Sequence, residues 1–308
     1  MFFKDVTISN ELCSASFRSD LGATCYSFYS KVLDAEAFRA PATHDELNTN
    51  IFLFGNPILF PPNRIRNGKF SFNGREYSLP VNESSTSSFL HGELFKKSFS
   101  VKSRTESSVT FSFSAESGEY LGFPHAFSIE RSYSLVGDEL VEAVSVTNDS
   151  ALDMPLMLAF HSTYSLPLRK SSSKENCYLT LHVGYEQKRD SHYLPTGEYR
   201  DAGKEELLMR CGAYRIAKRA VSELHKSLSD TMIIDDRDAK IMLSVKASRE
   251  YGYRMIWRGE DSDFICVEPQ TCEIDLFNTP GDPLGKGLIV LAPSETKTLY
   301  TSFRFSSY

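Results

Sequence analysis

The sequence predicts an all-β protein, a sandwich or barrel of short antiparallel strands with one or two short helices. Three observations support this. Most segments alternate apolar and polar residues with a period of two and stop at Gly, Asn, Asp, Ser or Pro. Asn73-Gly74 separates two such runs, the pair that a two-residue type I′ hairpin turn favours. Helical spacing is confined to one stretch, so the regular strand–helix alternation of a parallel sheet is missing.

In chain order, residues 33–50 read as a loop. Lys69-Phe70-Ser71-Phe72 and Arg75 to Leu79 are the hairpin arms, and residues 108–114, SVTFSFS, alternate strictly. Residues 126–135, AFSIERSYSL, turn at Val136-Gly137-Asp138-Glu139 and return as residues 140–147. The polar LRKSSSKEN at 168–176 is a second loop. Further strands are readable at 178–183, 231–234, 240–245, 252–257, 264–268, 287–291 and 298–305. Between them, Lys204 to Leu228 carries helix formers and helical spacing at Ala217, Ala220, Val221 and Leu224, which predicts the helices. No composition break marks a linker and no fixed-period repeat is visible, so residues 1–308 are expected to form a single domain.

The totals exclude several classes of function. Hydrophobic residues make up 41% and charged residues 24%, an ordinary globular composition. Aromatics reach 12%, with 22 Phe and 15 Tyr against one Trp, which suits strands first and a carbohydrate cleft second. The net charge of −6, with no basic cluster longer than Lys96-Lys97, argues against a nucleic-acid partner. No apolar run approaches the length of a membrane span. The start, MFFKDVTISNELCSASF, is too polar for a signal peptide, so a cytoplasmic location is expected. Six cysteines (13, 25, 177, 211, 266, 272) include no C-x-x-C pair, which predicts free thiols and no metal.

Ionisable groups recur where apolar segments end. The run Pro57-Ile58-Leu59-Phe60 stops at two prolines and delivers Asn63 and Arg64; Phe89-Leu90 precedes His91. The run from Met154 to Phe160 ends at His161, and Phe264 to Val267 ends at Glu268. A buried glutamate is costly unless something pairs with it or uses it. His125, beside Pro124, is a further candidate to line a cleft, whereas His44, His182, His192 and His225 stand at no informative spacing.

These residues carry a resemblance. PILFPPNRIRNGKFSFNGREYSL resembles the early signature of the aldose 1-epimerases (galactose mutarotases), and His91-Gly92 matches the His-Gly of that family. LGFPHAFSIERSYSL, FHSTYSL, VEPQTCEIDLFNTP and LAPSETKTLYTSFRF are similar to its later motifs, in order, over roughly residues 20 to 305. The resemblance implies the large antiparallel β-sandwich of that family, the galactose mutarotase-like supersandwich. It implies Glu268 as general base and His161 as general acid, with Arg64 and His91 holding the sugar and its ring oxygen. Asn63 belongs to the same sugar-binding turn. Asp230 best fits the aspartate of the family that binds sugar hydroxyls, with Asp235 and Asp236 as runners-up.

The chain also departs from that pattern. Phe160 stands where the family often has Asn, Tyr164 and Ser165 replace Phe-Asn, and Phe99 stands where a Trp is common. HGELFKK lacks the glycine-rich continuation after His-Gly, and the interval from Asp230 to Glu268 is short.

The implied reaction is interconversion of α and β anomers of a hexose. A base takes the O1 proton, an acid protonates O5, and the opened ring recloses on the other face. Neither cofactor nor metal is required, and the expected partner is a small sugar, with the chain a monomer or homodimer. Two alternatives use the same fold. A phosphosugar (hexose 6-phosphate) 1-epimerase would need extra cations at the cleft, for which Arg66 and Arg75 are available; the other is a non-catalytic sugar-binding protein. The pair is expected to sit on opposite sides of C1, the carboxylate raising the pKa of His161 and lowering its own.

Overall fold

A computed structural model describes residues 5–308. The first four residues, part of the stretch read as lacking a signal peptide, lie outside it. Among the described residues no helix is long and apolar enough to cross a membrane.

The prediction of an antiparallel β-sandwich holds. One sheet runs in the order Ser100–Arg104, Ser108–Ala115, Phe127–Val136, Glu139–Asn148, Thr296–Ser307, Ile241–Ala247, Val221–Asp236, Tyr253–Arg258, Phe264–Gln270, Ala159–Phe160, Ile58–Leu59. Its neighbours pair antiparallel throughout. A second sheet, Asp5–Ser9, Cys13–Arg18, Thr24–Ser30 and Ala35–Glu36, covers part of it. The seam between them is aromatic: Phe17 meets Tyr133 at 4.4 Å between ring centroids, and Phe28 meets Phe305 at 5.5 Å. Period-two alternation thus decides which residues fill the seam. On Phe127–Val136 the inward set is Phe127, Ile129, Arg131, Tyr133 and Leu135, all buried.

Arg131 interrupts that apolar face and meets Glu142 from the adjacent strand at 2.6 Å, with both side chains fully enclosed. Several surrounding polar groups are matched to it. Asn56 Nδ2 and Thr301 Oγ1 each donate to Glu142 at 2.9 Å, and Arg131 also donates to the Gly22 and Asn56 carbonyls. Asn56 Oδ1 in turn accepts from Ser162 Oγ at 2.6 Å, and the Arg131 guanidinium lies 4.9 Å over the Phe160 ring. The ion pair therefore fixes both neighbours of His161.

The Asn73-Gly74 hairpin forms as predicted, with both residues at positive φ. The helical reading of 204–228 needs correction. Only Lys204–Arg210 is α-helical, Ile216–Lys218 is a single 3₁₀ turn, and Val221–Asp236 is a strand. That strand pairs with three others, Cys177–Arg189, Tyr253–Arg258 and Ile241–Ala247, and shifts pairing partway along. In its first half the buried residues are Val221, Leu224 and His225, a spacing of three and four that imitates a helix. A second short helix, His44–Thr49, lies in the segment read as a loop; Thr43 caps it by accepting from the Glu46 amide at 3.2 Å.

Candidate active site

The cleft lies beside the sheet end formed by Tyr253–Arg258, Phe264–Gln270, Ala159–Phe160 and Ile58–Leu59. It encloses about 360 Å³ and brings together five of the six predicted site residues: Asn63, Arg64, His91, His161 and Glu268. A larger cavity of about 590 Å³ lies over Ser302, Arg304 and Ser306 and holds none of them. A buried acid–base pair, rather than volume, locates the site.

Glu268 lies inside Phe264–Gln270, a strand buried along its whole length. His161 follows Ala159–Phe160, and its amide donates to the Pro57 carbonyl at 2.9 Å. Because these strands are neighbours, His161 Nε2 stands 3.4 Å from Glu268 Oε1, with both side chains buried. His161 Nδ1 is buried without any hydrogen-bond partner. Phe52, His91 and Trp257 surround the imidazole at ring-centroid distances of 5.2, 5.5 and 6.1 Å.

Burial sets the protonation of the pair, against the sequence expectation. It holds the Glu268 carboxyl well above the usual carboxylate range, opposed only by the positive charge of Arg189. It pushes His161 down to about 4. Burial thus disfavours the charged form of both groups, because desolvation outweighs the attraction that ionising both would create. The arrangement differs too. At 3.4 Å the groups stand side by side on one wall, with no room for a ring between them. O1 and O5 are both bonded to C1, so adjacent proton-transfer groups can still reach both from one side.

The turn at 63–68 explains its own sequence. Asn63 has φ 56°, a left-handed conformation that Asn tolerates. Its backbone exchanges two contacts with His91: the amide faces His91 Nδ1 at 3.3 Å, and the carbonyl accepts from the His91 amide at 3.0 Å. Asn63 Oδ1 accepts from the Arg64 amide at 3.0 Å, so this residue shapes the wall. Arg64 is already engaged, its Nε and Nη2 each donating to Glu83 at 2.6 Å.

His91 and Gly92 are both left-handed, and a Cβ on Gly92 would stand 2.0 Å from the Phe60 carbonyl oxygen. Gly92→Ala is expected to lower stability by about 1–3 kcal/mol or more, the cost of strain at such a site, and to displace His91. Urea unfolding measures the first effect, and the histidine ring resonances measure the second.

Asp230 is not in the cleft. It is exposed, accepts from Thr231 Oγ1 at 2.9 Å, and lines a separate cavity with Arg249 and Tyr251. The bend where Val221–Asp236 exchanges one partner strand for another carries it there. Asp235 engages Arg237 and Tyr308; buried Asp236 accepts from the Arg169 and Ala239 amides. The cations considered for phosphate lie elsewhere as well: Arg66 pairs with Asp275 at 3.6 Å, and Arg75 lines another cavity. His125 is a core residue held by Tyr77 and Ser150.

Residues not singled out from the sequence complete the walls. Trp257, Arg189, Tyr193 and Ser222 all face the cleft. The one signal available was the solitary Trp, since a flat apolar ring suits a sugar face. Nothing at Arg189 distinguishes it in sequence from its neighbour Lys188. Among the described residues, two clusters carry metal-ligand atoms within 4.8 Å of one another: His161, Cys266 and Glu268; and Glu206, Glu223 and His225. In the first, burial holds the Cys266 thiol protonated, and Thr163 Oγ1 lies 3.2 Å away. In the second, Arg200 and Arg219 already occupy the two glutamates.

Comparison with known proteins agrees with this geometry. The family model for aldose 1-epimerase matches residues 4–304. A galactose mutarotase-like protein from Clostridium acetobutylicum superposes with a TM-score of 0.92 at 25% identity, over 99% of this chain and 96% of that one. The uncharacterized protein YihR of Escherichia coli is 26% identical over 232 residues, 74% of this chain and 73% of its own. Human galactose mutarotase is 30% identical over 147 residues, 47% of this chain and 42% of its own.

Proposed function

The chain belongs to the aldose 1-epimerase family, and on that premise we propose that it interconverts the α and β anomers of a pyranose hexose by opening and reclosing the ring. The supporting observation is the Glu268–His161 pair, 3.4 Å apart in a cleft, with an orphaned imidazole nitrogen beside it. Glu268 takes the O1 proton as the C1–O5 bond breaks, and His161 protonates O5. The aldehyde turns about C1–C2, and the reverse transfers close the other anomer. Protons move and no electrons are transferred. Each positioned group contributes about 10²–10⁴-fold.

The pair works with one proton between its members. At rest that proton is on Glu268, and passing it to His161 readies carboxylate and imidazolium together. Arg189 favours this transfer by stabilising the carboxylate. Trp257 offers a flat face for the ring.

A pH profile follows from these protonation states. Below about pH 4 His161 binds a second proton and no base remains. Above the raised pKa of Glu268 the pair holds no proton and no acid remains. A bell-shaped kcat/KM with its acid limb near pH 4 is expected, read from exchange between anomer signals by NMR with the buffer rate subtracted. Exchange no faster than buffer for every sugar in a panel of neutral and anionic pyranoses would overturn the reading.

A further inference from the structure

We infer that Arg189 is an oxyanion-binding residue and that the preferred sugar carries a carboxylate or phosphate group, an inference that rests on the anomer-exchange reading above. Two guanidiniums face the cleft. Arg64 is neutralised by two hydrogen bonds to Glu83. Arg189 is not: its Nη2 donates to the carbonyl of Ser222 and, at 3.1 Å, to its Oγ, and it enters no ion pair among the described residues. It is half-buried, and a sequestered charge without a counter-ion is costly.

Nothing in the cleft offsets that cost at rest. Glu268 is the one carboxylate lining the cleft, and burial raises its pKa, disfavouring the charged form. Burial and the neighbouring charge of Arg64 both disfavour the Arg189 cation, yet a guanidinium does not give up its proton in a protein. Glu186 and Glu223 stabilise the cation through their charge, but neither pairs with it among the described residues. Tyr193 stacks on both guanidiniums, 4.8 Å from Arg64 and 5.7 Å from Arg189, which holds their planes and leaves N–H edges for a ligand. Asp230, the carboxylate expected to read sugar hydroxyls, lies in another cavity, which leaves Glu268 as the one carboxylate at the wall. A planar donor fork beside the acid–base pair suits an oxyanion, which it can bind bidentately.

The test compares wild type, Arg189→Gln and Arg189→Lys on glucose, glucuronate and glucose 6-phosphate at constant ionic strength, with kcat/KM from NMR anomer exchange. Wild type is expected to favour at least one anionic sugar over glucose by about tenfold or more. Arg189→Gln is expected to bring that ratio down toward one, a loss of about tenfold or more, chiefly through KM, as for loss of a charged hydrogen-bonded pair, and Arg189→Lys to retain part of it. Which anion gains tells carboxylate from phosphate. A wild-type ratio near one for both anions, or a ratio that Arg189→Gln leaves unchanged, overturns the inference. If wild type exchanges none of the three, the epimerase reading fails, and calorimetric titration with the same sugars decides the inference. Tighter anionic binding that Arg189→Gln abolishes supports it, and equal or absent binding overturns it.

Discussion

Glu268→Gln is expected to reduce kcat for anomer exchange by about 10²–10⁴-fold while leaving the fold and its stability nearly unchanged. Two observations separate these effects. Glu268 touches His161 at 3.4 Å, and the influences on its charge are burial and the field of Arg189, with no hydrogen bond among them. An amide of the same shape loses little packing and removes a carboxyl that is costly to ionise there. It cannot take the O1 proton. His161→Asn should cost a comparable factor. The double variant should lose little more than the worse single, because the two residues act as one proton-transfer unit. NMR anomer exchange gives the rates, and circular dichroism with urea unfolding checks the fold. Full activity in Glu268→Gln would remove it from the chemistry, and a collapsed fold would make it structural.

Glu142→Ala is expected to have the opposite signature, lowering the free energy of unfolding by about 3–5 kcal/mol. The substitution strands the Arg131 guanidinium in a fully enclosed site and removes the acceptor of Asn56 and Thr301. Replacing Arg131 and Glu142 together by apolar residues of similar volume should cost much less, because no charge is then left unpaired. The urea midpoints of wild type, single and double variants decide this. A single variant within about 0.5 kcal/mol of wild type, the scale of a surface change, would show that the ion pair holds nothing. Activity of Glu142→Ala should fall as well, since Asn56 braces Ser162 and Arg131 lies over Phe160.

The sequence shows these features unequally. The hairpin at Asn73-Gly74 and the strands at 126–147 are legible because one face is buried and the other solvated, so period two survives. Arg131 and Glu142 were not singled out, although each sits at an inward position of an alternating strand, where a charge demands a partner. Of Val221–Asp236 only the alternating part at 231–234 was read as a strand; its first half was not, because Val221, Leu224 and His225 are buried there at a helix-like spacing. In the site, His161 and Glu268 stand out as ionisable groups after apolar runs. Their 3.4 Å separation depends on strand pairing across more than a hundred residues, and their protonation depends on burial. Asp230 was misplaced because sequence order does not show where a long strand bends. Arg189 stands out because it lines the cleft without an ion pair among the described residues, which only three dimensions reveal.

Ala159 stands opposite both Leu59 and Gln270, and Thr163 stands opposite Cys266. His161 and Glu268 therefore meet only when this ladder closes in one alignment. Slippage of a single residue would turn Glu268 to the far face of the sheet while leaving the hydrogen-bond count almost intact. A slipped chain would keep its far-ultraviolet spectrum and lose its turnover. Specific activity after refolding thus reports the fraction of molecules zipped in frame, which no measure of total β-structure can distinguish.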